Sequence, residues 1–459
     1  MTTTYRFWPA TNGPGLTSYS GPWTGAVSFG VYGGGYWFTG YWQWVPTGGD
    51  THPSGGFNCA LWSITGSSGP TGKLVAGSTI TGYSATLTAN AWNFIPLATP
   101  IQLAPGWDRN STTSGSAYLA CVGWTASAGF PDTNGYWGSG GAGANAITNG
   151  PLIAYSSNSG TSNKAPWGLA QGLFSSSSNN PASSMPVQVS GTDNFWVDVG
   201  VSDTAPAGYT GSYRIWPNKY DANAATVGDA AVNYTIATEI SLSQPCTLNN
   251  TWYFSPAAST TLATRADVWS IGTGLSVASV TSPTWLTAAG GAASPGTGPG
   301  GQFIKAAFPG GTVLPAGDYR VSVYNSAGST DANWGPKDAS TDYFGQTATN
   351  SAGAAGITAG PISAPGWSAA SSGYVFGGAG TDTPPYSTGG TVAAHAQPVF
   401  YQPASAPTGP VGFPQLYAAV GGGSNQTQNY WTDLEVTPVV FFPPPPLVVP
   451  QAVKRAAYY

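Results

Sequence analysis

The sequence predicts an all-β protein: two tandem β-sandwich domains, immunoglobulin-like or jelly-roll-like, with long glycine-rich loops and an extended C-terminal arm. Three observations predict this architecture. Sequence motifs recur after roughly two hundred residues, a spacing that suits a whole domain. Apolar side chains alternate with period two, as in half-buried strands. Aromatic residues make up 13% of the chain and charged residues only 6%, which favours packed strands with many turns over a disordered chain.

The repeat is carried by short motifs that keep their order along the chain. Residues 5–9 read Tyr-Arg-Phe-Trp-Pro, and residues 213–217 read Tyr-Arg-Ile-Trp-Pro. Ile-Thr-Asn-Gly-Pro at 147–151 returns as Ile-Thr-Ala-Gly-Pro at 357–361. Phe-Trp-Val-Asp at 195–198 returns as Tyr-Trp-Thr-Asp at 430–433. We therefore predict a duplication, with a first sandwich at 1–208, a second at 209–440 and a proline-rich arm at 441–459.

The strand prediction depends on alternation that is kept in both copies. The final strand of each copy places on one face Phe195, Val197, Val199 and Val201, or Tyr430, Thr432, Leu434 and Val436. The opposite face carries Asp198 or Asp433. A second pair of strands aligns Tyr118, Ala120 and Val122 with Tyr319, Val321 and Val323. A third aligns Trp42 and Trp44 with Trp252 and Phe254, and we expect Trp42 and Trp44 in the core. No segment shows the apolar stripe and caps of a helix.

Composition excludes several classes of function. The net charge of −5 offers no basic patch, so we expect no nucleic-acid partner. No apolar run is long enough to cross a membrane, and no signal peptide is visible at the N-terminus. The three cysteines, Cys59, Cys121 and Cys246, make no disulfide framework. Cys59 and Cys121 fall in two predicted strands that could be neighbours, and we expect small buried side chains at all three positions.

The motif set resembles a known family. The order Leu-Trp-Ser, an apolar-Pro-Gly turn, a tyrosine-bearing strand and a final aromatic-Trp-x-Asp strand resembles the bacterial domain of unknown function numbered four thousand and eighty-two. The resemblance covers roughly residues 25–203 and 234–438, and it implies an immunoglobulin-like sandwich found on surface proteins and glycosidases, without an established activity. The Tyr-Arg-x-Trp-Pro openings and the C-terminal ending also resemble minor tail or other virion proteins of actinobacterial phages.

The sequence does not predict a catalytic or metal site, and no cofactor is expected. His52 and His395 occupy non-equivalent loops, and no nucleophile elbow or zinc-ligand spacing occurs. Asp193, Asp198 and Asp203 are the best carboxylate cluster for a glycosidase. Because Asp198 recurs as Asp433, we favour a structural role in which it accepts hydrogen bonds from backbone groups. Calcium binding remains an option in two oxygen-rich loops without EF-hand spacing, at Asp108, Asn110, Asp331, Asp338 and Asp342.

Aromatic residues that lack a counterpart in the other copy are the candidates for binding. Tyr36, Trp37 and Phe38 would form an exposed platform for a glycan, because flat rings stack on sugar faces. The alternative, which we favour, is that they seal a subunit or inter-domain interface. Trp137 and Trp334 lie in matching loops and leave the same choice, with loop anchoring favoured. The candidate assembly arm contains Phe441, Phe442, Pro443, Lys454, Arg455, Tyr458 and Tyr459. This arm is either disordered or docks on a partner.

The sequence therefore predicts a non-enzymatic structural component of a phage virion: a minor tail, fibre or decoration protein. We expect it to assemble through aromatic, uncharged surfaces with other virion proteins and to form a homo-oligomer, since charged residues are depleted at interface cores. The alternative function is a carbohydrate-binding adhesion module that recognises the host cell envelope.

Overall fold

The computed structural model confirms an all-β chain. It describes residues 3–15, 21–31, 34–65, 71–104, 117–126, 130–145, 147–154, 171–189, 192–207, 209–217, 235–255, 259–271, 273, 275–294, 301–325, 357–364, 399–401 and 431–439. These residues contain strands, turns and bends but no helix. Accordingly, none of them belongs to a helix that could span a membrane.

The described residues of the first half form thirteen strands, β1–β13. Their bounds are β1 Thr4–Tyr5, β2 Gly21–Val31, β3 Tyr36–Val45, β4 Phe57–Thr65, β5 Thr71–Leu74, β6 Ile80–Tyr83, β7 Ala91–Leu103, β8 Ala117–Ala126, β9 Ile147–Asn149, β10 Leu152–Ala154, β11 Leu173–Ser175, β12 Gln188–Val189 and β13 Val197–Ser202. One sheet has the order β1-β13-β3-β7, and the other has the order β12-β11-β2-β8-β4-β5. The hairpin β9–β10 extends the second sheet by pairing with β2, and β6 pairs with β4.

The second half contains twelve described strands, β14–β25. Their bounds are β14 Thr235–Leu242, β15 Cys246–Ser255, β16 Arg265–Ser270, β17 Ser276–Thr281, β18 Leu286–Thr287, β19 Gln302–Ala307, β20 Val313–Leu314, β21 Gly317–Tyr324, β22 Ile357–Ala359, β23 Ile362–Ala364, β24 Val399–Tyr401 and β25 Thr432–Pro438. One sheet has the order β17-β16-β21-β14-β23-β22, with β24 also on β14. The other has the order β18-β19-β15-β20, with β25 on β15.

The two halves share one strand order. The run β5-β4-β8-β2 of the first half corresponds to β17-β16-β21-β14 of the second, and each run continues into a hairpin. In the other sheet, β13-β3-β7 corresponds to β25-β15-β19. This equivalence supports the duplication that the motifs predict. The predicted boundaries at 208/209 and 440/441 remain predictions, because residues 208, 440 and 441 lie outside the described residues.

The alternating faces lie where the sequence predicts them, but both faces of the final strand are buried. Val197, Val199 and Val201 lie in the first core, and Leu434 and Val436 lie in the second. Asp198 and Asp433, on the opposite face, are also fully buried. The expectation of one buried face was therefore incomplete. The segments that open each half, around Phe7 and Ile215, pack over this second face.

All three cysteines are free and buried. Cys59 and Cys121 lie on the paired strands β4 and β8, where Cys59 is opposite Val122 and Cys121 is opposite Ala60. Cys59 packs in the inner core, whereas Cys121 packs in a cluster on the outer face of the same sheet. The expectation of small buried side chains is confirmed, and this register leaves the two thiols on opposite faces.

The opening tyrosine of each half explains why two separate motifs recur together. Gly150 and Gly360 are turn residues with φ of 55° and 63°, a left-handed conformation that glycine adopts without strain. A Cβ atom at Gly150 would overlap the ring of Tyr5, and one at Gly360 would overlap the ring of Tyr213. The Tyr-Arg-x-Trp-Pro and Ile-Thr-x-Gly-Pro motifs are therefore in contact, and each glycine is required by the other motif's tyrosine.

We predict that Gly150→Ala lowers the free energy of unfolding by about 3 kcal/mol, from left-handed strain together with overlap of the Tyr5 ring. Gly77→Ala is the matched control, because Gly77 has φ of 78° but nothing within 4 Å of the added Cβ. That variant carries the backbone strain alone and costs about 1 kcal/mol. Urea unfolding of both variants measures the difference. Equal losses would show that the Tyr5 contact contributes nothing.

Candidate functional site

Asp198 binds the segment that opens the first half. Its carboxylate accepts hydrogen bonds from the backbone N–H of Phe7 at 2.9 Å, Trp8 at 3.0 Å and Val199 at 2.7 Å. It also accepts one from Nε of Arg6 at 3.3 Å. The side chain is fully buried. A buried carboxylate is tolerated when charge-assisted hydrogen bonds replace its lost hydration, and these donors supply them.

The second half repeats this arrangement. The Asp433 carboxylate accepts from the backbone N–H of Ile215 at 3.0 Å, Trp216 at 2.9 Å and Leu434 at 2.8 Å. Nε of Arg214 donates to the same carboxylate at 3.0 Å. The prediction that the repeated aspartate serves backbone donors is therefore confirmed. Asp433, like Asp198, is fully buried.

Each arginine also lies over a tryptophan ring. Cζ of Arg6 is 3.6 Å from the ring centroid of Trp42, and Cζ of Arg214 is 3.6 Å from that of Trp252. In both guanidinium groups Nη2 is buried without a hydrogen-bond partner among the described residues. The indole face supplies an electrostatic contact in its place, worth about 2 kcal/mol when desolvated. We call Arg6, Asp198 and Trp42 the first clasp, and Arg214, Asp433 and Trp252 the second clasp.

The clasps place opposing influences on their ionisable groups. Burial raises the pKa of Asp198, while the N–H groups of Phe7 and Trp8 and the charge of Arg6 lower it. Burial likewise raises the pKa of Asp433, against the charge of Arg214. Burial lowers the pKa of both arginines, and the paired carboxylates oppose that change. Each ion pair is thus maintained by its geometry at a desolvation cost.

The two halves meet at a junction, which we define by Trp37, Gln102, Tyr209, Tyr213 and Arg214. The Trp37 ring lies edge-on to Tyr209 at 4.5 Å and to Tyr213 at 6.0 Å between centroids. Nε2 of Gln102 donates to the backbone carbonyl of Arg214 at 3.0 Å, and Oε1 of Gln102 accepts from its N–H at 3.4 Å. Because Arg214 also belongs to the second clasp, the junction and that clasp share a residue.

Further close contacts join the two halves. A Cβ atom on either Gly34 or Gly35 would lie 2.8 Å from the carbonyl oxygen of Thr358, so the close approach requires glycine. Lys73 of β5 donates to the carbonyl of Gly301, and burial lowers the pKa of Lys73 to about 8.

The exposed aromatic platform was a wrong expectation for the residues that the structure describes. Trp37 is 2% exposed, Phe38 is fully buried in the core, and Tyr36 is half-buried. Trp137 is 1% exposed and packs on Trp8, as the loop-anchoring alternative predicts. The favoured alternative for Trp37, an inter-domain interface, agrees with its place in the junction. Wherever the structure gives the burial of a tryptophan, tyrosine or phenylalanine side chain, that side chain is buried or half-buried.

Several predicted residues lie outside the described part of the chain. They are Trp334, His395, the candidate arm residues (Phe441, Phe442, Pro443, Lys454, Arg455, Tyr458 and Tyr459), and the loop candidates for calcium (Asp108, Asn110, Asp331, Asp338 and Asp342). His52 is exposed. Asp203 is half-buried and accepts from the N–H of Thr3 at 2.9 Å. Within the described residues, no three or more His, Cys, Asp or Glu side chains are grouped so that they could hold a metal ion.

Two ion pairs on the outer face of the second half escaped the sequence analysis. Arg320 of β21 contacts Glu239 of β14 at 3.3 Å, directly across the paired strands. Arg265 contacts Asp267 at 2.7 Å within β16. The equivalent positions of the first half carry Leu119, Ser28, Asn58 and Ala60. Because the chain has few charged residues, charges present in only one copy could have indicated these ion pairs from the sequence.

We predict that Asp198→Asn destabilises the first half by about 3 kcal/mol, because the Arg6 charge stays buried without its partner. Asp203→Asn removes a carboxylate from the same strand region, and it should leave the unfolding midpoint nearly unchanged because Asp203 contacts solvent. Chemical denaturation followed by tryptophan fluorescence compares the two. If both variants had equal midpoints, the clasp would contribute no net stability.

We predict that Gln102→Leu loosens the junction without unfolding either core, because both backbone groups of Arg214 lose a buried partner at about 1–3 kcal/mol. Asn149→Ala is the matched control, since Nδ2 of Asn149 donates to the backbone carbonyl of Arg6 within the first half. Hydrogen exchange of the peptide spanning 212–217 should accelerate only in the Gln102 variant. Unchanged protection there would contradict a coupling role for Gln102.

The chain was compared with models of known protein families, with curated proteins and with solved structures, and none of the three comparisons finds a match. The clasps and the junction therefore carry the functional argument.

Proposed function

We propose that the chain is a non-enzymatic structural component of a phage virion, such as a minor tail, fibre or decoration protein. The observation that carries the structural part of this proposal is the junction. A hydrogen bond in each direction between Gln102 and Arg214, with Trp37 packed on two tyrosines, joins the sandwiches through buried contacts rather than through a free linker. Such a joint suits a protein that transmits position and load.

The fate of the carboxylates supports a non-enzymatic role. Asp198 is the central residue of the carboxylate cluster best suited to a glycosidase. Its carboxylate accepts hydrogen bonds from three backbone N–H groups and from Arg6. Asp433 repeats that commitment in the second half. A catalytic acid or base needs access to a substrate proton, and neither side chain has any solvent exposure.

The surface chemistry supports assembly through uncharged contacts, although not the aromatic ones first expected. The exposed large apolar side chains of the described residues are aliphatic: Leu74, Val187, Leu275, Val277 and Val313. Leu275 and Val277 adjoin one another at β17, which ends the sheet order of the second half and carries no charged residue. Natural proteins usually protect such an edge with charge, proline or a covering segment.

The virion assignment itself is supported by sequence features: the charge-poor composition, the duplicated openings and the resemblance to phage tail proteins. We likewise propose that each half is related to the domain of unknown function numbered four thousand and eighty-two. Partners would be other virion proteins and further copies of this chain, and the C-terminal arm would provide a second contact. The burial of Trp37, Phe38 and Trp137 counts against a glycan-binding role for these three of the five candidate aromatic residues. Of the other two, Tyr36 is half-buried and Trp334 lies outside the described residues.

The proposal predicts that quantitative mass spectrometry of purified particles from the source culture finds the intact chain in a fixed ratio to other particle proteins. A glycan array probed with the intact purified chain should show no specific binding.

Val277→Lys on β17 should reduce self-association in light scattering, while Leu74→Lys on the equivalent strand β5 should not. Absence from particles, combined with glycan binding, would overturn the proposal in favour of the adhesion module.

A further inference from the structure

The loop that follows β8 is fixed against the segment that precedes β13. Thr133 and Asn194 form an antiparallel bridge in which each N–H donates to the other's carbonyl at 3.1 Å. The N–H of Trp137 donates to the carbonyl of Thr192 at 2.8 Å. These bonds set the register between the two segments, and the register decides which side chains share a side of the bridge.

Two carboxylates share one side of this bridge. Asp132 precedes Thr133 and Asp193 precedes Asn194, so the alternation of an extended pair places both opposite to Thr133 and Asn194. Asn134 follows Thr133 in a turn. Oδ1 of Asp193 already reaches across to the N–H of Gly135 at 3.1 Å. Asn134 is exposed and Asp193 is half-buried, so solvent reaches the group from that side.

A second observation indicates that a ligand belongs there. Asp132 is only 8% exposed, and its Oδ1 is buried with no hydrogen-bond partner among the described residues. A buried, unpartnered carboxylate oxygen costs free energy unless a proton or a cation satisfies it. Burial, together with the charge of Asp193, raises the pKa of Asp132 to about 6.

We propose that Asp132 and Asp193 bind a divalent cation of the calcium type. Carboxylate and amide oxygens are the ligands that Ca²⁺ prefers, and it accepts irregular geometry completed by backbone carbonyls and water. The two carboxylates supply two negative charges for a divalent ion, and the exposed side of Asn134 supplies an entry path. This site differs from the loops that the sequence analysis named, and it does not rest on the proposed virion function.

The surroundings supply a spectroscopic readout. Nε1 of Trp196 donates to Oγ1 of Thr133 at 2.8 Å, and Nε1 of Trp8 donates to Oη of Tyr136 at 2.8 Å. Trp137, Trp8 and Tyr136 pack in one aromatic cluster beside the loop. An ion bound at Asp132 would therefore be close enough to indole rings for sensitised Tb³⁺ luminescence, and it would tighten the loop that supports the first clasp.

The test uses the full chain, with Tb³⁺ as the probe and Ca²⁺ as the competitor. We expect tryptophan-sensitised luminescence that Ca²⁺ displaces, with affinity reduced about tenfold or more in Asp132→Asn and in Asp193→Asn. Asp50→Asn, which changes an aspartate in another loop of the first half, should retain the wild-type signal. Luminescence that persists in Asp132→Asn comes from other acidic residues, so the difference between that variant and the wild type decides.

Thermal unfolding at two pH values separates a cation from a proton. The pKa of Asp132 is raised from 3.8 in a free aspartate to about 6 in the fold. The folded state therefore holds a proton that the unfolded state releases, and without a cation stability falls as the pH rises from about 4 to above 6. Ca²⁺ should raise the melting temperature at pH 7 and have little effect at pH 4.5, where protons compete. The proposal is overturned if Asp132→Asn keeps full Tb³⁺ affinity, or if the variant is more stable than wild type in saturating Ca²⁺.

Discussion

The buried carboxylate at the start of each final strand is the constraint on which the rest of the fold depends. Asp198 cannot remain charged inside a protein unless donors surround it, and the nearest donors in its own strand supply only the N–H of Val199. The remaining donors come from a segment about 190 residues earlier in the chain. Satisfying one side chain therefore brings the first and last strands together, closes the sandwich and covers the second face of β13. Trp196 and Trp431, at φ of 51° and 47°, show the backbone strain that this closure tolerates.

The junction follows from the same constraint, because the opening segment has its own unsatisfied groups. In the first half the carbonyl of Arg6 is served by Asn149 at 2.6 Å. The second half has Ala359 at the equivalent place, and the carbonyl of Arg214 is instead served by Gln102 of the first half. One hydrogen bond within a domain has thus been exchanged for one between domains. The alanine also removes bulk beside Thr358, where Gly34 and Gly35 approach the second half.

The features that both copies share, such as the strands and the repeated aspartate, could be predicted from the sequence. Each depends on a local residue pattern that occurs twice in the chain. Alternation identified the strands, and the recurrence of Asp198 as Asp433 correctly indicated a role in binding backbone groups. The burial of Tyr36–Phe38 could not be predicted from the sequence, for a physical reason. Whether a ring on an unmatched stretch is covered depends on residues far along the chain, here Tyr209 and Tyr213 against Trp37. Gln102 gave no local signal either, since its partner is a backbone group of the other half.

Where the two copies differ, neighbouring residues differ together, so that each copy keeps its own complete packing. A residue whose buried polar atom is not satisfied in this way is a candidate for a functional role. Where the second half has Asn250, Glu435 and Lys305, the first has Gly40, Gly200 and Phe94. Glu435 accepts from Asn250 and from Nε1 of Trp252, each at 2.8 Å. In the first half the Phe94 ring lies over both glycines, so that a Cβ atom on either would come within about 3 Å of it. Such a set exchanges one stable packing for another and needs no external partner. Asp132 is different, because its buried Oδ1 has no hydrogen-bond partner among the described residues. A buried carboxylate oxygen without a partner destabilises the fold, so a bound cation explains Asp132 better than internal packing does.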